Sequence, residues 1–543
     1  MKGETAIAKI LKAEGVEFIT CFPYNTLIDA AAEEGIRTIL TRTERVAVNI
    51  ADGFTRASYG QRNGVCTTQS GPGIENAFSG VALAFSDSVP ILVLPGGPER
   101  HRLVPPNFIA RDNYQNVTKW VDLVNYADRI PGLMRRAFSY LRTGRPGPVM
   151  LEIPRDVSQE EFDDKIFRYS PVKGAKTSGD PADVREVAKA LIAAKNPVIR
   201  AGLGVLYACA WNELQELAEL LQCPVFTTMC GKSAFPENHP LSLGTGGYSR
   251  TEMVKHFLDK ADLVFAIGSS CTKELFTTPI PDDKVIMQST IDERDINKDY
   301  PVAHAIIGDA RLVLRQLIEE VQHKIGSKGK KGSDAVAREV KAVKDKWLKE
   351  WMPKLISDEV PINPYRVIGD MMRALDRKKT IVTHDAGYPR DQILPFYESI
   401  VPGGYIGWGK STTLGSSLGF SMGARLARPD KTCVSFMGDA AFGMVGMDFE
   451  TAVRERIPIL TILVNNSKLG GYGKRLAIAS EKYNLNILSG NYSAIAEGCG
   501  GYAERVEQPK DIIPAIKRAK EANDAGRPAL LEIITREETA IYQ

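Results

Sequence analysis

The stretch from Gly438 to Asn466 constrains this chain more than any other. An apolar run over 433–436 leads into Met437-Gly438-Asp439-Ala440-Ala441-Phe442, and a second run over 459–464 ends in Asn465-Asn466. Helix-like sequence over 448–454 lies between them. The order predicts strand, turn, helix, strand, the repeat of a parallel α/β sheet. Both strands then end on the same sheet edge, where such folds place their ligands. That edge brings Asp439 and Asn466 together as oxygen donors. One carboxylate and one amide carbonyl suit a hard dication such as Mg²⁺, which keeps some water and shares a phosphate group.

A second signature lies near the N-terminus. Residues 36–42 read as a strand, and residues 43–56 as a helix that opens with Glu44. By itself Glu44 is an acid favoured by the helix dipole. After a further strand over 64–68 come Gln69-Ser70-Gly71-Pro72-Gly73 and then Asn76.

These residues resemble the thiamine-diphosphate (ThDP) enzymes. Gly-Asp-small, about two dozen residues and Asn-Asn is similar to the family's diphosphate-binding motif. The Ser-Gly-Pro-Gly-x-x-Asn loop resembles that of the acetolactate-synthase-like branch. Glu44, the loop and the metal motif follow the family's order and spacing, and the resemblance covers nearly the whole chain.

The resemblance implies roles. Glu44 would pair with the aminopyrimidine ring, and Ser70, Gly71, Pro72 and Asn76 would line its side of the cofactor. Asp439, the Asn466 side chain and the Lys468 carbonyl would hold Mg²⁺. Gly438, Ala440 and Ala441 would let backbone amides approach the diphosphate at a helix start. In Thr412-Thr413-Leu414-Gly415 the Leu414 side chain matches the apolar wedge that bends the cofactor, and Thr412 stands where relatives carry Gly. Taken alone, Leu414 is a core leucine. The implied chemistry is a carbon–carbon lyase or ligase acting on a 2-oxo acid or 2-hydroxy ketone through a ThDP-bound acyl carbanion.

The substrate side departs from the family. Acetolactate synthases carry Met and Trp where this chain has Gly471 and Arg475. Cys21-Phe22-Pro23-Tyr24 replaces a Gly-x-Pro-Gly turn, and no histidine pair like that of pyruvate decarboxylase is present. Tyr24, Asn25 and Gln69 fall where relatives place substrate-facing groups. Arg475, Lys474, Arg100 and Arg102 are the cations available to a 2-oxo acid, or belong to solvated loops. True acetolactate synthase and simple pyruvate decarboxylase activities are not expected. The alternatives are a 2-hydroxyacyl-CoA lyase or oxalyl-CoA decarboxylase type of enzyme, a catalytically silent binding or regulatory subunit, and an NAD-dependent dehydrogenase. Glu44, Asp439 and Asn466 argue against a silent subunit, which has no chemical need of them.

The 543 residues suffice for several domains, each with its own core. Turn-rich stretches at 169–181 and 326–333 divide the chain into three α/β, doubly wound parallel-sheet domains: pyrimidine-binding (1–168), middle (182–325) and diphosphate-binding (360–543). The first and third echo each other. Val89-Pro90-Ile91-Leu92 resembles Ile457-Pro458-Ile459-Leu460, and 145–153 resembles 527–533. In the middle segment two strand–glycine turns read as Rossmann-like. Relatives bind FAD there, but their signature is replaced by Gly268-Ser269-Ser270-Cys271, so FAD, another adenine nucleotide and an empty site all stay open. A net charge of +3 implies no nucleic-acid partner. No apolar run spans a membrane. No apolar leader opens the chain, and eight scattered cysteines read as reduced core thiols, so a cytoplasmic enzyme is expected. The family builds its site from two subunits, which implies a homodimer or homotetramer.

Overall fold

The computed structural model describes residues 1–330 and 334–543; residues 331–333, at the end of the expected second linker, lie outside it. Three all-parallel sheets are each covered by helices. The N-terminal sheet runs Arg37–Leu40, Phe18–Phe22, Val65–Thr68, Leu92–Val93, Val149–Pro154, with Trp120–Leu123 and Gly96–Gly97 also on the last strand. The C-terminal sheet runs Thr380–His384, Thr432–Gly438, Leu460–Asn465, Ala529–Ile534, Tyr502–Val506. The two orders superpose strand for strand, apart from the extra edge strand of the first. Leu92 sits opposite Val149 just as Leu460 sits opposite Ala529, so the echoing stretches fill equivalent places. The middle sheet, Ser242–Gly246, Val225–Thr228, Pro197–Ala201, Leu263–Ile267, Val285–Thr290, His304–Ile307, has the 3-2-1-4-5-6 order of a Rossmann fold. Its two central strands, Pro197–Ala201 and Leu263–Ile267, are buried on both faces, which explains their apolar runs.

Three helices position the rest: α1 (Glu44–Ala57), α2 (Pro72–Ser86) and α3 (Ser416–Ala427). Almost all of α1 is buried, because α1 lies against α3 of the C-terminal domain, backbone to backbone. A Cβ on Gly423 would sit 2.1 Å from the Ile50 carbonyl oxygen, and one on Gly53 2.4 Å from that of Phe420. Gly423→Ala is therefore expected to cost about 1–3 kcal/mol through overpacking, read as a lower denaturant midpoint.

Residues 334–359 belong to none of the three expected domains, yet Ala335–Leu355 is a helix. Trp347 stacks on Phe396 at 4.7 Å between ring centroids, and Trp351 packs on Tyr365, so this helix seals the C-terminal core. The middle domain is fastened by the buried Lys232–Glu237 pair at 2.6 Å, with Glu237 also accepting from the Ser399 amide.

His384, at the end of its strand, is fully buried between the Tyr405 hydroxyl (2.7 Å) and the Trp408 carbonyl (3.1 Å). Burial holds its pKa down at about 3. Unfolded, a histidine takes up its proton near pH 6.5. Between those values the unfolded chain binds more protons, so stability falls as pH drops, by up to about 1.4 kcal/mol per pH unit. His384→Gln should flatten the pH dependence of the thermal midpoint below about pH 6.5.

Candidate active site

The C-terminal half-site begins where the strand Thr432–Gly438 turns directly into the helix Asp439–Val445. Gly438 is in register with Val464, so Asp439 emerges beside Asn465 and Asn466, as the spacing predicts. The two asparagines divide their work. Asn465 is spent on structure, donating to Glu532 at 2.7 Å and accepting from the Ser467 amide at 2.9 Å. Asn466 stays half-buried, its Oδ1 accepting from the Lys468 amide at 3.0 Å.

Asp439 is 3 % exposed. Its Oδ1 accepts from the Ala440 amide at 3.0 Å, while Oδ2 is buried without a hydrogen-bond partner. Burial pushes its pKa up to about 6, against the nearby backbone amides of Ala440, Ser467 and Lys468, which favour the charge. An orphaned oxygen on a buried carboxylate is a group that a bound cation would satisfy. Among the described residues no three His, Cys, Asp or Glu side chains converge. The arrangement therefore suits a dication that draws its other ligands from an amide, a carbonyl, phosphate and water.

Facing the same sheet edge is the segment that carries Leu414. Gly415 caps α3 at φ +83°, a left-handed conformation that favours glycine. Its amide and that of Ser417 donate to Asp385 at 2.8 and 2.9 Å. Burial raises the pKa of Asp385, and the amides oppose this. Leu414 is half-buried and packs against Ala386, Trp408 and Phe420. Thr413 bonds Ser411 at 2.7 Å, and Thr412 is exposed. Asp385 was reachable from sequence by the sheet-edge argument, since it follows the strand Thr380–His384.

The N-terminal half-site lies at the corresponding edge of the first sheet. Thr43 caps α1, and Glu44, its first residue, is 5 % exposed. Asn76 Nδ2 donates to Glu44 Oε2 at 3.4 Å. Gly71 caps α2 and Pro72 is its first residue. A Cβ on Gly73 would lie 2.9 Å from Gln69 Cβ, too close without a shift, and 3.5 Å from Glu44 Oε1, so glycine lets Gln69 sit beside the carboxylate. Asn25 donates to the Thr68 carbonyl at 3.1 Å, next to Gln69 and Ser70. Glu44, Asn76, Gly73, Gln69, Ser70 and Asn25 thus gather at one edge. Tyr24 is on the surface, 59 % exposed. Arg475 and Lys474 lie exposed on the short helix Tyr472–Arg475 beyond Lys468. Arg100 is engaged by Asp156 and Glu160 at 2.6 and 2.8 Å, which leaves it no free charge for a substrate.

At the switch point of the middle sheet, where Gly202 and Gly268 end adjacent strands, a cavity of about 380 Å³ opens. Arg200 and Lys410 line it. Arg200 is 3 % exposed, with Nε unpartnered.

The three parallel-sheet domains of this chain, with a carboxylate–amide edge in the last and a corresponding edge in the first, each match a model of one family. Residues 1–123 match the N-terminal TPP binding domain, 184–317 the central domain and 385–533 the C-terminal TPP binding domain of thiamine pyrophosphate enzymes, that being another name for ThDP. The chain belongs to this family, in its acetolactate synthase-like branch. It is 33 % identical to a probable acetolactate synthase large subunit of Methanocaldococcus jannaschii, over 98 % of this chain and 92 % of the relative. The corresponding protein of Methanococcus aeolicus is 31 % identical over the same shares. A glyoxylate carboligase of Escherichia coli O157:H7 is 29 % identical over 100 % of this chain and 94 % of its own length. Among the described residues no helix is long and apolar enough to cross a membrane.

Proposed function

We propose that this ThDP-dependent enzyme makes or breaks the carbon–carbon bond next to the carbonyl of a small 2-oxo acid or 2-hydroxy ketone, and that it takes Mg²⁺ together with its cofactor. The observation that carries this reading is the orphaned, buried Oδ2 of Asp439 beside Asn466. When bound, ThDP supplies a carbon nucleophile and an electron sink. The protein does the rest. Asp439, Asn466 and the Lys468 carbonyl would hold the metal, and the small residues Gly438, Ala440 and Ala441 would leave their amides open to the diphosphate. Leu414 would support the bound cofactor from its apolar side, and Thr412 and Thr413 would contact it through the same segment. Glu44, shielded from water, would hold a proton for exchange with the aminopyrimidine. Ser70, Gly71, Pro72 and Asn76 form the wall behind it. Asn25, Gln69 and Tyr24 orient the substrate, and Arg475 meets its carboxylate.

Relatives named acetolactate synthase and glyoxylate carboligase support pyruvate and glyoxylate as the first donors to test. The decisive experiment is calorimetric titration with ThDP and Mg²⁺, followed by turnover of pyruvate, glyoxylate and an oxalyl thioester. Metal-dependent binding with turnover of a 2-oxo acid supports the proposal. Turnover of the thioester alone replaces it with the CoA-linked reading, and failure to bind ThDP overturns the metal-site assignment.

Two copies would complete each site. In support, Phe78 and Phe85 of α2 and Met444 and Met447 beside the diphosphate motif are 40–58 % exposed in the single chain, an apolar surface suited to a second subunit. The middle-domain cavity, with buried Arg200 and the neighbouring Lys410, suits an anionic ligand such as an adenine nucleotide.

A further inference from the structure

The segment that carries Leu414 is strung between two carboxylates. Asp385, of the same domain, holds its far end through the Gly415 and Ser417 amides. The near end is held from another domain, by Asp87. This residue follows α2 directly and is 3 % exposed. Its carboxylate accepts from the Gly409 amide at 3.1 Å and the Lys410 amide at 3.1 Å, from Arg56 Nη2 at 3.0 Å and from Cys230 Sγ at 3.5 Å. Arg56, in the last turn of α1, donates its other terminal nitrogen to the Gly407 carbonyl at 2.7 Å and pairs with buried Asp52. The loop is seated closely: a Cβ on Gly409 would lie 2.4 Å from Cys230 Sγ.

A buried carboxylate at a helix C-terminus opposes both desolvation and the helix dipole. Such a residue persists where its bonds are needed, and here every one of them converges on residues 407–410 or on the groups that flank them. α1 and α2 carry Glu44 and Asn76 at their N-terminal ends and grip the 407–410 loop from their C-terminal ends.

Building on the ThDP reading above, we propose that Asp87, braced by Arg56, is a positioning residue that fixes the Leu414 segment in the conformation that receives the cofactor. The wedge on the C-terminal domain is then set from the N-terminal domain. Four intervening residues, Ser411 to Leu414, are held at both ends by charge-assisted amide bonds, which limits how far Leu414 can drift.

The test uses full-length Asp87→Ala and Asp87→Asn, with Asp52→Asn as a control. Asp52 bonds the same buried Arg56 but makes no contact of its own with the loop. Hydrogen exchange of peptides covering 405–415 is measured without cofactor, and ThDP affinity is measured by calorimetry with Mg²⁺. Asp87→Ala is expected to raise exchange at Gly409 and Lys410 and to weaken ThDP by about tenfold to hundredfold, the loss expected for hydrogen bonds to a charged group. Asp87→Asn, which keeps one acceptor oxygen, should recover part of that affinity, and Asp52→Asn should move both readouts less. Equal losses in Asp87→Ala and Asp52→Asn would make the effect merely structural and overturn the proposal, as would unchanged exchange or unchanged affinity in a folded Asp87→Ala. Failure of the wild type to bind ThDP would instead bring down the cofactor reading, and the exchange data would still decide whether Asp87 holds the loop.

Discussion

Glu44→Gln is expected to lower turnover by about 10²–10⁴-fold, the range that a positioned proton-transfer group supplies, with thermal stability and ThDP binding close to wild type. The expectation rests on how the carboxylate is placed. Glu44 is buried at the start of α1, and its one side-chain neighbour within hydrogen-bond distance, Asn76, lies at 3.4 Å. No cation lies within ion-pair distance of it among the described residues, so it is not consumed by a structural ion pair. Gln preserves the volume and the contact with Asn76 but cannot exchange a proton with the cofactor ring. A hydrogen bond made there, out of water, is stronger than one made at the surface. Steady-state kinetics on the screened donor, paired with ThDP calorimetry, separates the two effects. Turnover at the wild-type level would remove Glu44 from its assigned role, and a parallel collapse of stability would make it a structural residue.

Much of this was legible in the sequence because it is local. Strand, glycine turn and helix follow one another within about thirty residues around Asp439 and again around Ser70, and the sheet-edge rule turns that order into position. The echo between 89–153 and 457–533 was legible for the same reason: each sheet repeats the same strand order. Asp87 and Arg56 were not legible. Arg56 meets Gly407 across 351 positions and Asp87 meets Lys410 across 323, and nothing in either neighbourhood announces the other. His384 and the Lys232–Glu237 pair escaped notice likewise, since a buried polar residue is recognised by its partner and not by its own flanks. The helix Ala335–Leu355 is rich in lysine and glutamate, and its only deep anchors are a few apolar residues such as Val340, Trp347 and Leu355. On the substrate side the residues at the N-terminal edge were placed by their motif neighbours. Arg475, exposed at the end of the short helix Tyr472–Arg475, had only its charge to recommend it.

Removing the Asp439 side chain should have opposite effects on the protein with and without its ligands. Without metal, folding confines a carboxylate at 3 % exposure with one oxygen unpartnered, a cost the unfolded chain does not bear. Asp439→Asn removes the charge and keeps the shape and an acceptor for the Ala440 amide, so the apo thermal midpoint is expected to rise. With Mg²⁺ and ThDP present the order reverses. Losing an outer-shell partner of a metal ligand typically costs 10- to 100-fold in affinity, and losing the only carboxylate of this donor set should cost at least about 100-fold. Stabilisation by ligand follows its concentration relative to Kd, so the rise in midpoint that ThDP and Mg²⁺ give the wild type should nearly vanish in Asp439→Asn. Scanning calorimetry of both proteins, with and without the two ligands, gives four midpoints. A gain without ligands together with a lost response to them identifies Asp439 as a metal-holding group. A loss in both states would mean that the carboxylate holds the turn between Gly438 and Ala440 in place, and an unchanged ligand response would move the metal away from Asp439.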